Sequence, residues 1–288
     1  MNILQNKNLI VESNCSGAEI TRIYSKKSKR DILWCGDNTY WGRRSPILFP
    51  IVGRLKDNKT IIEDNIYYMN QHGFARDMNF KIIEESENSI SYQLISSNET
   101  KSMYPYSFEL TIKYTLIDST IEVEWTVNNS DTKDIYFSIG AHPAFNIPMS
   151  DNEAIEDYYL KLICRDGVEN ITLNGPYYET IKNIDNIDII NLNPNLFKND
   201  ALIYTNIDKV SIFNKENKEC LNVELKEFPL VGIWSPFNDG SIAPFICIEP
   251  WYGLADNINT DYQFNKKAFI NKLEVNKILN TSYKINIF

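Results

Sequence analysis

The amino-acid sequence predicts an all-β protein, built as a large antiparallel β-sandwich with few and short helices. Segments in which apolar and polar residues alternate recur along most of the chain, and this alternation is typical of strands that bury one face. No stretch carries an apolar stripe of helical period for longer than about three turns. Because we find neither a repeat of fixed period nor a low-complexity linker, we expect one domain over residues 1–288.

The clearest strands lie in the middle of the chain. Residues 89–96, 108–117 and 121–129 alternate apolar with polar side chains, and the segment "DST" between the last two is typical of a short hairpin loop. These three segments predict a β-meander. Further strands are predicted on both sides of it, at residues 17–26, 30–37, 134–140, 158–165, 201–206, 209–215, 220–226 and 245–251.

The overall composition narrows the class of partner. Hydrophobic residues make up 43% and charged residues 23% of the chain, as in ordinary folded proteins. The net charge of -9 opposes binding to nucleic acid or to an anionic membrane surface. No window approaches the roughly 18 apolar residues of a membrane span, and the first residues do not resemble a signal peptide. We therefore expect a cytoplasmic protein without nucleic-acid or membrane partners.

The cysteines and histidines give no sign of a metal or cofactor. Five cysteines are scattered singly without CxxC spacing, which predicts reduced thiols. With only two histidines, a zinc site would need carboxylates plus both imidazoles, so no structural metal is expected. There is no P-loop and no dinucleotide fingerprint. The sequence therefore predicts no cofactor.

The histidine at position 142 lies in the segment "GAHPAFN", directly after a predicted strand. Pro143 cannot continue a strand ladder, so the imidazole should point from a strand end into a loop region, where functional residues concentrate.

The earlier segment at residues 43–58 contains two prolines within an apolar run. On its own, that stretch is typical of an edge strand with bulges.

The other histidine, His72, lies in "QHGFARD". Gly73 permits a positive φ or a close backbone approach, and Arg76 offers a forked hydrogen-bond donor nearby. Taken alone, this segment fits a half-buried structural histidine as well as a functional site.

Glu249 is the only charged residue between Ser241 and Leu254. A carboxylate buried in an apolar strand costs several kcal/mol without partners, and burial raises its pKa toward the range of a general base. The structural alternative is a carboxylate paired with Arg54 or Arg76. Glu249 together with two imidazoles would form an acid–base set.

Five segments in order resemble the aldose 1-epimerase (galactose mutarotase-like) family, in particular its LacX-like branch. They are "RSPILFPIVGRLKDN", "QHGFARDMNF", "SIGAHPAFNIP", "FPLVGIWSP" and "CIEPWYGLAD", between residues 44 and 256. The resemblance implies the galactose mutarotase-like supersandwich, with an open sugar-binding cleft on its concave face. It also implies interconversion of the α and β anomers of a free aldose without metal, nucleotide or covalent intermediate.

The resemblance assigns roles to individual residues. His142 corresponds to the general acid on the ring oxygen, Glu249 to the general base on the anomeric hydroxyl, and His72 to a second imidazole near the ring oxygen. The implied substrate-binding residues, of which both tryptophans could equally be core residues, are Arg54, Arg76, Asp200, Trp234 and Trp251.

The chain departs from the usual pattern of galactose mutarotases, so the resemblance leaves the sugar undefined. "QHGFAR" replaces the more usual His-Gly-Gly surroundings, and the chain is shorter. Two alternatives stay open: a hexose-6-phosphate 1-epimerase, whose phosphate would be held by Arg54, Arg76 and the arginines at 43–44, and a carbohydrate-binding protein without turnover. The partner is a small-molecule sugar in each case, and a homodimer is one option for the oligomeric state.

Overall fold

The computed structural model of this chain describes residues 1–185 and 187–288. Short antiparallel strands dominate it. In chain order they are β1 (Asn2–Gln5), β2 (Leu9–Ser13), β3 (Ile20–Ser25), β4 (Arg30–Asp31), β5 (Ile47–Leu48), β6 (Lys59–Ile62), β7 (Asn65–Tyr68), β8 (Lys81–Glu85), β9 (Ser89–Ile95), β10 (Phe108–Ile117), β11 (Thr120–Asn129), β12 (Ile135–Phe137), β13 (Ile139–Ala141), β14 (Ala144–Asn146), β15 (Tyr158–Cys164), β16 (Glu169–Asn174), β17 (Tyr177–Asn183), β18 (Ile189–Asn191), β19 (Leu202–Thr205), β20 (Ile207–Asn214), β21 (Glu219–Glu224), β22 (Leu230–Trp234), β23 (Phe237–Asn238), β24 (Ser241–Ile242), β25 (Phe245–Tyr252), β26 (Asn271–Leu273) and β27 (Ile278–Ile287).

Helices are few and short, as predicted. Among the described residues the only α-helix is α1 (Asn98–Met103), which Ser97 and Thr100 cap by accepting hydrogen bonds from each other's backbone N–H groups. None of the described helices is long and apolar enough to cross a membrane. In the described part of the chain there are five 3₁₀ turns, at Lys56–Asn58, Ala75–Asp77, Ile155–Asp157, Pro194–Phe197 and Phe264–Lys266.

Two large antiparallel sheets carry most of the strands. One has nine strands in the order β18-β15-β20-β21-β27-β11-β10-β9-β8. The other has eight: β17-β16-β19-β22-β25-β13-β5 in sequence across the sheet, with β14 paired separately to β25. A four-stranded sheet of β1 to β4 lies at the N-terminus.

The predicted meander forms the middle of the nine-stranded sheet. Strands β9, β10 and β11 pair in sequence, and every second residue of β10 and β11 is buried. This alternation exists because one face of the pair packs on the core and the other faces solvent. The sequence prediction for these three strands is therefore confirmed to within a residue.

The two large sheets pack face to face. Trp125 of β11 lies 5.7 Å, between ring centroids, from Phe228, and Phe228 lies 4.7 Å from Tyr252 of β25. This chain of aromatic contacts joins the nine-stranded sheet to the eight-stranded one through a shared apolar core. The predicted all-β sandwich is confirmed.

The predicted strand at residues 134–140 is divided between two sheets. β12 pairs with β26, whereas β13 pairs with β25 and β5. The division falls at Ser138, whose N–H donates to the carbonyl of Pro50. Gly253 makes room for it, because a Cβ at that position would lie 2.1 Å from Ser138 Oγ. Strand β5 is at the edge of its sheet, as the flanking prolines at positions 46 and 50 predicted.

The predicted strand at residues 30–37 is strand only at Arg30–Asp31. After Asp31 the chain leaves the N-terminal sheet, because Leu33 bridges to Phe145 and the N–H of Trp34 donates to the carbonyl of Ala144. Apolar alternation predicted one strand here, but the segment uses its apolar residues to reach the larger sheet.

A buried ion pair anchors the chain just after β25. Lys267 donates to Asp256, and their side chains are only 3% and 2% exposed. The second carboxylate oxygen of Asp256 accepts the N–H of Lys56 at 2.9 Å. This one side chain therefore joins three segments beside Leu254 and Ala255, which line the cavity described below.

We expect Asp256→Asn to lower the free energy of unfolding by about 3–5 kcal/mol, because it leaves the ammonium of Lys267 buried without a counter-charge. The matched control is Asp261→Asn in the exposed ion pair with Lys266, in which the aspartate side chain is 56% exposed and the lysine side chain 66%. That change should cost at most about 1 kcal/mol. Urea unfolding followed by tryptophan fluorescence measures both, and equal costs would contradict the prediction.

Candidate active site

The site lies on the eight-stranded sheet, where β22, β25 and β13 are neighbours. Trp251 of β25 lies against the backbones of both adjacent strands. A Cβ at Gly232 would lie 2.7 Å from its indole ring, and one at Gly140 would lie 2.8 Å from it. Glycine is therefore required at both positions, which explains why "VGIW" and "SIGAH" contain it at these points.

Glu249 is held on β25 between Cys247 and Trp251, on the face opposite the core residues Ile246 and Ile248. Its side chain is 1% exposed, and its Oε2 lies 3.3 Å from Nε2 of His142. Burial raises the pKa of Glu249 well above its usual value, and the nearby Asp200 adds to the shift.

The carboxyl group of Glu249 therefore contacts an imidazole ring. The alternative interpretation, in which Glu249 pairs with Arg54 or Arg76, is wrong. Both arginines instead contact Gln71: Arg54 donates to its side-chain oxygen at 3.2 Å and Arg76 to its backbone carbonyl at 2.6 Å.

His142 follows β13 and precedes Pro143, at the strand end where its sequence surroundings predicted it. The backbone N–H of His142 donates to the carbonyl of Pro46, which keeps the residue in the edge region of the sheet. Trp41 stacks on the imidazole with ring centroids 4.6 Å apart, and Trp234 meets it edge-on at 5.4 Å. Burial lowers the pKa of His142 to about 3, and the positive charge of Arg76 acts in the same direction.

The shifts of Glu249 and His142 are opposite in direction and have the same cause. Burial disfavours charge on either group, which favours a protonated carboxyl and a neutral imidazole. Oε2 and Nε2 lie 3.3 Å apart, and Oε2 makes no hydrogen bond within residues 1–185 and 187–288. Two groups this close titrate as a coupled pair, and a single proton on the pair fits both directions of shift.

His72 is held in a defined protonation form by the backbone. The residue has a φ of 67°, and its Nδ1 accepts the N–H of Gly53 at 3.1 Å. The next position needs a glycine, Gly73, because a Cβ there would lie 2.3 Å from the carbonyl oxygen of Phe49. Since Nδ1 is an acceptor, the proton of the neutral ring is on Nε2. Burial lowers the pKa of His72 well below its usual value, which keeps the ring neutral.

The two imidazoles and the carboxylate converge on one cavity. The rings of His72 and His142 are 5.6 Å apart at their centroids, and both line a cavity of about 320 Å³ together with Glu249. A larger groove of about 620 Å³ lies elsewhere, near Arg30 and Phe288. We take the smaller cavity as the site because the titratable groups with shifted pKa values converge there.

The structure brings most of the predicted binding residues to this cavity. Arg76, Asp200, Trp234 and Trp251 line it, whereas Arg54 reaches it through Gln71. Burial lowers the pKa of Arg76 to about 10. Asp200 keeps solvent contact at the rim, and its partial burial among protein atoms raises its pKa.

Three residues near the pair were not predicted. Trp41 stacks on His142, and Gln71 lines the cavity and accepts a hydrogen bond from Arg54. Cys247 lies close to Glu249 and His142. Trp41 belongs to a loop without strand alternation. Gln71 and Cys247 did lie inside the quoted segments, but neither residue type indicates acid–base chemistry, so only their spatial position reveals them.

The chain is similar to known proteins over its whole length. The aldose 1-epimerase family model matches residues 2–262. The chromosomal protein LacX of Lactococcus lactis subsp. lactis is 31% identical over 303 aligned residues, covering 99% of this chain and 98% of LacX.

Solved structures are similar along their whole length. The galactose mutarotase related enzyme of Lactobacillus acidophilus superposes with a TM-score of 0.95 at 31% identity, covering 100% of this chain and 97% of that protein. A galactose mutarotase-like protein of Lactobacillus casei gives a TM-score of 0.91 at 26% identity, with both chains covered completely, 100% each. The resemblance seen in the five sequence segments is thereby confirmed, and the chain belongs to the aldose 1-epimerase family.

Proposed function

We propose that this protein is an aldose 1-epimerase that interconverts the α and β anomers of a free aldose such as glucose or galactose. The observation that carries the proposal is the buried carboxylate–imidazole contact of 3.3 Å between Glu249 and His142 at the wall of the cavity. Ring opening of a cyclic sugar needs one group to remove the hydroxyl proton and another to protonate the ring oxygen. This pair supplies both.

In the first half of the reaction, the shared proton moves to His142, so that Glu249 becomes a carboxylate. Glu249 then accepts the proton of the C1 hydroxyl while His142 donates its proton to the ring oxygen. The C1–O5 bond breaks and an open-chain aldehyde forms. One proton has entered the sugar and one has left it, so the pair again holds a single proton.

In the second half, rotation about C1–C2 presents the other face of the carbonyl. The former ring hydroxyl returns its proton to His142 and attacks C1, and Glu249 protonates the carbonyl oxygen. The product is the opposite anomer. The roles of acid and base are exchanged between the two halves, as microscopic reversibility requires.

The remaining cavity residues position the sugar. Neutral His72 donates from Nε2 toward the ring oxygen, which gains negative charge as the C1–O5 bond breaks and His142 protonates it. Arg76 and Asp200 offer a donor and an acceptor for hydroxyl groups, and the indole of Trp251 offers an apolar surface for a pyranose face.

Trp41 should stabilise the protonated state of His142. A cation over an aromatic face gains about 0.5–2 kcal/mol, so we expect Trp41→Leu to lower kcat for anomer exchange roughly tenfold, since only the charged transition state loses the contact. Trp41→Phe preserves an aromatic face and should lose clearly less activity. Steady-state kinetics on both variants checks this, and equal rates for Leu and Phe would count against a stacking role.

The proposed activity is tested by anomer-exchange NMR across a panel of free and phosphorylated aldoses. Acceleration of exchange for at least one free aldose supports the proposal. Calorimetric binding of sugars without any acceleration would instead favour a carbohydrate-binding protein that lacks turnover.

A phosphorylated aldose is the second candidate substrate, and one observation favours it. The Nε of Arg76 is buried, and it has no hydrogen-bond partner within residues 1–185 and 187–288. Arg43 lies close enough to lower the pKa of Arg76 further. A phosphate oxygen would satisfy this donor, while Asp77, paired with Arg43 and 3.9 Å from Nε of Arg76, already offsets part of the repulsion between the two guanidinium groups. A higher kcat/KM for glucose 6-phosphate than for glucose, in the same NMR panel, would select this alternative.

A further inference from the structure

The thiol of Cys247 has no role in the proposed reaction, yet it lies beside the reacting pair. Cys247 is fully buried on β25, packed in a cluster with Trp34 and Phe245. Its Sγ, a ring nitrogen of His142 and a carboxylate oxygen of Glu249 all lie within 4.8 Å of one another. In the part of the chain that the structure describes, this is the one group of three metal-ligating side chains so closely placed.

Thiolate, imidazole and carboxylate are the ligand types that Zn²⁺ binds, and open zinc sites commonly have three protein ligands and one exchangeable position. Tetrahedral zinc with usual bond lengths holds a nitrogen and an oxygen ligand about 3.4 Å apart. Nε2 of His142 and Oε2 of Glu249 are 3.3 Å apart. This edge of the tetrahedron is therefore already formed.

The third ligand needs only a small movement. In the same geometry a sulfur lies about 3.5 Å from a nitrogen ligand, and Sγ of Cys247 is within 4.8 Å of a ring nitrogen of His142 and of a carboxylate oxygen of Glu249. Side-chain movement on the order of 1 Å would bring the sulfur to this distance. His142 and Glu249 line the cavity, whereas Cys247 is fully buried and does not line it. The ion would therefore enter from the cavity and keep a water on that side.

We propose that Cys247, His142 and Glu249 form a binding site for Zn²⁺ or a similar borderline-soft divalent cation, and that its occupancy blocks anomer exchange. The ion occupies the lone pairs through which His142 and Glu249 move protons, and its bound water takes the space of the C1 hydroxyl. The thiol proton leaves to solvent as the ion binds. The blocking effect rests on the proposed function, whereas metal binding does not.

The binding test uses Co²⁺ as a spectroscopic probe. Wild-type protein should bind one Co²⁺ with a thiolate-to-cobalt charge-transfer band in the near ultraviolet. Cys247→Ala should lose the band and bind on the order of 100-fold more weakly, since it lacks one of three ligands. Cys35→Ser, which changes an exposed thiol outside the cluster, should behave as wild type. Cys247→Ser serves as a nearly isosteric second variant if the alanine variant does not fold.

The inhibition test adds Zn²⁺ during anomer exchange. Wild type and Cys35→Ser should lose exchange at stoichiometric Zn²⁺, and Cys247→Ala should remain active at that concentration. A Cys247→Ala enzyme inhibited as strongly as wild type would overturn the proposal, as would an active wild-type enzyme without the cobalt band. A wild-type protein that shows the band but never accelerates exchange would retain the metal site and contradict the proposed function instead.

Discussion

Glu249→Gln should lower kcat for anomer exchange by about 10²–10⁴-fold while the protein stays folded. Glutamine has nearly the same shape and retains a carbonyl oxygen, but it cannot accept the proton of the C1 hydroxyl. It also removes the proton that the pair passes to His142. Both halves of the reaction are affected, which is why we expect one of the largest effects here.

The same variant should be at least as stable as wild type at pH 8. Burial raises the pKa of Glu249 above its usual value of 4.5. Below 4.5 the carboxyl is protonated in both folded and unfolded chains. As pH rises from 4.5 toward the folded-state pKa, only the unfolded chain ionises, so wild type loses stability. Glutamine does not titrate, so the variant lacks this loss.

Thermal unfolding at pH 4 and pH 8 separates this effect from a general change in packing. The matched control is Glu124→Gln on β11, where the glutamate side chain is 44% exposed beside Lys113. That variant should keep wild-type activity and follow the wild-type change of Tm with pH. Full activity in Glu249→Gln would remove Glu249 from the proposed mechanism.

His142→Gln should lower kcat by a similar factor and change the pH profile. In the proposed mechanism the carboxylate–imidazole pair of wild type holds one proton, so kcat should be nearly independent of pH around neutrality. The acid limb, where the pair gains a second proton, should lie well below 6.5 because burial lowers the pKa of His142 to about 3. In His142→Gln this broad plateau should disappear from the residual activity.

Stability provides an independent readout of the same imidazole. A histidine with a lowered folded-state pKa stabilises the protein above its unfolded value of 6.5, and this contribution is lost as pH falls from 6.5 toward 3. The Tm of wild type should therefore decrease more between pH 7 and pH 5 than the Tm of His142→Gln. An equal loss in both proteins would mean that His142 is not buried as a neutral ring.

The candidate site was only partly predictable from sequence. Glycine and proline next to His72, His142 and Glu249, in segments that resemble one family, indicated which side chains to examine. Nothing local indicated that Glu249 touches His142, that Trp41 covers the imidazole, or that Gln71 separates Arg54 from the cavity. These contacts depend on pairings between distant strands, such as Gly232 opposite Glu249 and Gly140 opposite Trp251.

The fold shows the same division. Strands β10 and β11 were predictable because each buries one face, so their sequences alternate. Strand β8 was not, because all five of its residues are exposed at the sheet edge. The sequence alone determined the all-β class and, through its resemblance to one family, indicated the side chains that we propose as acid and base, since burial on one face and motif composition are local properties. Only the tertiary structure decided which side chains meet, because sheet packing, and no local preference, brings these segments to one cavity.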